Sequence, residues 1–211
     1  MTTTTLRDAA PDGGDPAAAV RARQVRRGRI TLALLVLACV VPVAASYLAY
    51  YVWPPQGRMN YGTLLSPTPL PRVVLSGVAG QPALDRAELE GRWTLLYAGT
   101  GGCGAACDAA LYAMRQSRLA QASEMERVAR VWLVTDAVAP PAALLAAHDG
   151  LRVARAHDGW LAQLPGAESA HHVFLVDPLG NVMMRFPERA DPKGVIKDLQ
   201  RLLKYSALGR G

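Results

Sequence analysis

Cys103 and Cys107 are the residues of this chain best suited to chemistry, with Gly104-Ala105-Ala106 between them. Residues four apart on a helix share a face, so a helical C-x3-C pair is expected to aim both sulfurs the same way, out to solvent. Two uses follow. The sulfurs can close a disulfide if their Cα atoms come within roughly 4.4–6.8 Å, or they can clamp one soft metal ion, a donor set that favours Cu(I). A bridge around so short a loop removes little chain entropy, so it would be a poor staple. The remaining cysteine, Cys39, lies within a long apolar run and reads as a packed or lipid-facing residue. Three cysteines are too few for a disulfide scaffold or a four-thiolate zinc site.

The surroundings sharpen the assignment. Gly99-Thr100-Gly101-Gly102 precedes the first cysteine, a composition that lets the backbone turn tightly and leaves the site open to a partner. A cysteine at a helix N-terminus feels the positive end of the macrodipole. Cys103 is therefore the expected attacking thiol of the redox pair, with Cys107 resolving. His171 and His172 open a later apolar run. Strand alternation sends their rings to opposite faces, and His171 shares parity with Val173 and Leu175. His148 and His157 fall in other segments and are expected to be solvated. Met183 and Met184 carry no assigned role.

The elements that must position these residues follow from periodicity. Trp93 to Tyr97 reads as a buried strand, and Cys107, Ala110, Leu111 and Met114 recur at helical spacing, predicting a helix from Cys103 to Arg118. Val131 to Val134 is a second strand, Pro140 to Ala147 a helix and Leu151 to Ala154 a short strand. His172 to Val176 is the third strong strand, turned by 177–181 into Val182 to Phe186, and Lys193 to Tyr205 closes as a helix. Strand, helix, strand, helix, then a hairpin and a final helix is the order of an α/β thioredoxin-like fold, with the dithiol after the first long strand.

Ahead of this domain, Ile30 to Val52 runs 23 residues without a charged side chain, long enough for a transmembrane helix. Five arginines lie between Arg21 and Arg29 on its N-terminal side, against Arg58 alone on the other. The positive-inside rule then puts the N-terminus in the cytoplasm and the C-terminal domain in the periplasm of a bacterial-type inner membrane. The expected organisation is a disordered tail over 1–29, the membrane helix over 30–52, an extended linker over 53–72 with five prolines, the thioredoxin-like domain over 73–205 and a flexible end over 206–211. The net charge of +6 is split evenly between tail and exported part, which excludes a basic block for nucleic acid.

With its anchor, C-x3-C, the Val131 to Asp136 strand ending in Thr-Asp and Phe174-Leu175-Val176-Asp177-Pro178-Leu179-Gly180, the chain resembles the SCO/SenC family. The likeness covers about Val73 to Tyr205. Members are membrane-anchored thioredoxin-fold proteins that handle copper in cytochrome c oxidase assembly. The resemblance implies copper bound by Cys103, Cys107 and a later histidine. The family's histidine position falls on Ser169, so His171, on the same strand face, is the expected third ligand and His172 the fallback. Asp108 stands where the family usually has proline. Three functions are open: copper delivery to an oxidase subunit or another copper or thiol client, thiol–disulfide reduction of oxidase or cytochrome c cysteines, and a scaffold without chemistry.

Overall fold

The computed structural model describes residues 16–52, 60–167 and 171–206, and the chain divides into two units, 1–57 and 58–211. The described residues of the first unit form one helix, α1 (Pro16–Val52). Its stretch Gln24–Ala49 is 26 residues of exposed, largely apolar surface, or ~39 Å at ~1.5 Å per residue, enough to cross a bilayer. The helix begins earlier than the tail read over 1–29 allows. Pro16 opens it and Ala17-Ala18-Ala19 follow. Proline suits the first helical position and alanine has the highest helix propensity, so the apolar segment's helix propagates back through them. The rest of that tail lies outside the described residues.

The second unit is a six-stranded sheet in the order β1-β6-β5-β2-β3-β4. Its strands are β1 (Thr63–Pro69), β2 (Trp93–Gly99), β3 (Val128–Val134), β4 (Leu151–Arg155), β5 (Val173–Val176) and β6 (Asn181–Arg185). β2, β3 and β4 run parallel, while β5 is antiparallel to β2 and to β6. Every residue of β2, β3 and β5 is buried, as continuous apolar runs covered on both faces must be. The helices are α2 (Ala105–Leu119), α3 (Ala142–Ala147), α4 (Asp158–Leu161) and α5 (Pro192–Tyr205).

One face of the sheet (Leu95, Tyr97, Trp132, Val173) packs with Cys107, Leu111 and Met114 of α2 and Val195, Leu199 and Leu203 of α5. The opposite face (Leu96, Leu133, Phe174) packs against Leu70, Leu75, Leu84 and Trp160. This two-faced sandwich is the thioredoxin-like α/β fold predicted from the element order.

The linker expected over 53–72 is, in its second half, part of the sheet. β1 pairs antiparallel with β6, with a register irregularity between Leu64 and Thr68. An edge position tolerates Pro67 and Pro69, because the outward side of the strand has no ladder to complete. The approach to β1 is also fastened: the Gly62 N–H donates to Oδ2 of buried Asp198 at 2.9 Å, and the Asp191 N–H donates to the Tyr61 hydroxyl at 2.8 Å. Residues 53–59 lie outside the described residues.

Candidate functional site

The end of β2 and the loop after it are held by the neighbouring strand. Thr135 N–H donates to the Gly99 carbonyl at 3.0 Å, and Gly101 N–H donates to Oδ1 of Asp136 at 2.8 Å. A Cβ on Gly101 would lie 1.9 Å from the Val138 carbonyl oxygen, so this position has no room for a side chain. Gly102 and Gly104 are different: a Cβ on either would meet nothing within 4 Å. The loop is anchored on one side and open on the other.

Cys103 and Cys107 form a disulfide across that opening, with Cα atoms 5.1 Å apart. The expectation that both cysteines ride on the helix is corrected. Gly104 is the N-cap of α2, so Cys103 precedes the helix, with a left-handed φ of +42°. Loop residues 100–102 carry Cys103 to that conformation, where its N–H reaches the Thr100 carbonyl at 3.3 Å. Exposure is corrected as well. Cys103 is partly exposed, but Cys107 is only 1% exposed and joins the core. Cys107 shares the stripe of Ala110, Leu111 and Met114 that α2 turns to the sheet, so its place on a helix dictates its burial. Asp108, in the first turn, is exposed and complements the positive end of the helix dipole.

The histidines separate as strand parity requires. Tyr97 pairs with Val173 in the antiparallel ladder, and continuing that register brings His171 level with Gly99. The Tyr97 hydroxyl crosses the space above Gly99, where a Cβ would come within 2.4 Å of it, and meets Nδ1 of His171 at 2.6 Å. Tyr97 is fully buried and belongs to the same sheet face as Cys107. Burial pushes its pKa up to about 12, so the phenol keeps its proton throughout the neutral range. His171 therefore stands on the dithiol's side of the sheet, with Nε2 having no hydrogen-bond partner among the described residues.

His172 turns the other way. Its ring meets the edge of Phe174, which belongs to the opposite face. Its Nδ1 lies 2.9 Å from the Phe186 carbonyl oxygen, which can only accept, so Nδ1 carries the proton. Ser169 lies outside the described residues. His157 is exposed and caps α4 by accepting from Gly159 N–H at 3.0 Å. His148, expected to be solvated, is buried at the end of α3. Met184 is core and Met183 packs against it from the edge, while Cys39 is exposed on α1. Among the described residues, no three His, Cys, Asp or Glu side chains converge as a metal-holding group. Both motif sulfurs are committed to each other, so a metal at this dithiol requires reduction first.

Sequence reasoning missed Tyr97 as a site residue, treating it as strand core. A signal existed: a tyrosine inside a largely apolar strand needs a partner for its hydroxyl, and Gly99, on the same strand face, leaves room for one.

The model of the transmembrane-like, thioredoxin-like, C-terminal domain family matches residues 93–206, more than half of the chain. The chain belongs to that family. The match runs from the start of β2 through the last helix, so it contains the dithiol, Tyr97, His171 and His172. A comparison with curated proteins finds no match. Among solved structures, apo Sco1 from Thermus thermophilus is similar at 19% identity and a TM-score of 0.55, covering 69% of this chain and 99% of that one. Yeast Sco1 follows at 17% identity and 0.53, covering 72% and 99%. Bradyrhizobium japonicum ScoI with copper bound is similar at 17% identity and 0.51, covering 64% and 99%. At such identities these likenesses show a thioredoxin-like fold.

Proposed function

We propose that this chain is a membrane-anchored SCO-like protein whose Cys103–Cys107 pair alternates between a disulfide and a dithiol that carries copper for cytochrome c oxidase assembly. The observation that carries this reading is a soft sulfur pair on the sheet face where His171 stands, its Nδ1 held by Tyr97 and its Nε2 without a hydrogen-bond partner among the described residues. Opening the disulfide takes two electrons and two protons from a partner dithiol, which becomes a disulfide in turn. Deprotonated Cys103 and Cys107 then offer two thiolates, and His171 an imidazole nitrogen. That set suits Cu(I), which is cargo here. Copper-bound ScoI from Bradyrhizobium japonicum has a similar fold, and the likeness adds support. The recipient is an oxidase subunit or another copper or thiol client.

Localisation follows the same reading. With the apolar run of α1 in the inner membrane, the five arginines in the N-terminal part of that helix favour a cytoplasmic N-terminus and a periplasmic dithiol domain. A cysteine accessibility assay on whole cells tests it. Cys103 should label with a membrane-impermeant maleimide after mild reduction.

Anaerobic Cu(I) titration of the reduced full chain in detergent tests the chemistry. One equivalent should bind, binding should be lost in Cys103→Ala, and His171→Ala should bind more weakly. A second reading, thiol–disulfide exchange with oxidase or cytochrome c cysteines, draws support from the unequal exposure of the two sulfurs. An accessible attacking thiol backed by a sheltered resolving one suits that chemistry. Absent copper uptake together with rapid reduction of a client disulfide would put it first.

A further inference from the structure

We propose that Tyr97 is a positioning residue for the site: its buried hydroxyl holds Nδ1 of His171 and so presents Nε2 as the nitrogen that ligates copper. The inference rests on the reading of His171 as a copper ligand and adds to it the group that makes His171 competent.

The geometry is specific. The Tyr97 oxygen and His171 Nδ1 are 2.6 Å apart, with the two rings tilted by 25° and their centroids 6.0 Å apart. The phenol cannot retreat. Tyr97 is 0% exposed, and its ring is packed in the core cluster with Val173, Trp132 and Cys107. Gly99 supplies the passage, since any larger residue would put a Cβ 2.4 Å from the hydroxyl oxygen and 2.7 Å from Cζ. A hydroxyl both donates and accepts, so it serves either neutral imidazole tautomer. When Nδ1–H donates to the phenol oxygen, Nε2 is left with its lone pair. A metal-binding histidine commonly has its other nitrogen held in this way, which sets both tautomer and ring orientation. His172, whose Nδ1 donates to the Phe186 carbonyl and whose ring meets Phe174, turns to the sheet face opposite the one that carries Cys107.

The decisive experiment is a cycle of Tyr97→Phe and His171→Ala on the reduced full chain in detergent. Cu(I) affinity is read by competition with a chromophoric Cu(I) chelator, and the His171 ring nitrogens are read by 15N NMR in metal-free, histidine-labelled protein. Phenylalanine keeps the ring and removes only the hydroxyl. Tyr97→Phe should weaken Cu(I) binding about 10-fold, the low end for loss of a group that orients a metal ligand. It should also move the His171 nitrogen shifts, and weaken binding no further when His171 is already alanine. An unchanged affinity in Tyr97→Phe beside a weakened His171→Ala would overturn the inference and leave the copper reading standing. The same loss in both backgrounds would also overturn it, because the hydroxyl would then be acting through the fold. If His171→Ala binds as the parent does, the ligand set itself is wrong and the inference goes with it.

Discussion

A Cβ on Gly99 would stand 2.4 Å from the hydroxyl oxygen of Tyr97, two residues earlier in the same strand. The missing side chain of one residue is thus the space occupied by the other. Because the tyrosine ring is fully enclosed, Gly99→Ala should force it out of place and cost about 1–3 kcal/mol, as overpacking does. Urea denaturation of the oxidised protein measures this. A stability equal to the parent's would show that the ring has freedom the structure does not suggest.

Cys103 and Cys107 should differ sharply in reactivity once the disulfide is reduced. Cys103 is partly exposed and follows the open Gly102, whereas Cys107 is 1% exposed on the buried face of α2. Brief alkylation of native, reduced protein followed by peptide mass spectrometry should find the label on Cys103, with Cys107 labelled only after unfolding. Equal labelling of both would contradict the buried placement of Cys107.

The segment ahead of the expected domain start should matter for stability. Gly62 is bonded to Asp198, and Leu70 is 1% exposed. A chain cut to begin at Val73 loses β1 and the burial of Leu70, which alone is worth about 1.5–3 kcal/mol. It should melt well below a chain beginning at Asn60. Within the full chain, Asp198→Ala leaves the Gly62 N–H without its acceptor and should cost about 1–3 kcal/mol. Thermal melts of these variants, with limited proteolysis across 60–72, provide the check.

Acidification should destabilise the domain through His148. Burial lowers its pKa below 6.5, the charges of Arg130 and Arg115 lower it further, and Asp108 opposes them. The unfolded chain then takes up a proton near pH 6.5 that the folded chain still refuses. Stability from this group is present above pH 6.5 and declines as the pH falls from there toward the lower folded value. His148→Gln should flatten that part of the profile. A wild-type stability that does not fall between pH 7 and 5 any faster than the variant's would refute the assignment.

Much of the domain is legible in the order of its residues. β2, β3 and β5 are largely apolar runs, β2 leading into glycines, β3 ending at Thr135-Asp136 and β5 at Asp177-Pro178, and local pattern is enough to name them. α2 and α5 repeat apolar residues at helical spacing. β1 is not legible: Thr63–Pro69 carries two prolines and little alternation, so it reads as a spacer, and only the free edge of β6 makes it a strand. The site shows the same division. The cysteine pair is plain from spacing, and strand parity favours His171 over His172. The burial of Cys107 could have been read from its place in the Ala110, Leu111, Met114 stripe.

By itself, the sequence determined a long apolar helix, an alternating α/β domain and a dithiol at the mouth of a helix, because each depends on residues near one another in the chain. Tertiary structure decided that Cys103 stands outside that helix, that β1 completes the sheet, and that Tyr97 reaches His171, 74 residues away. Those outcomes depend on which strands become neighbours and in what register, and that choice belongs to the packing of the whole sheet.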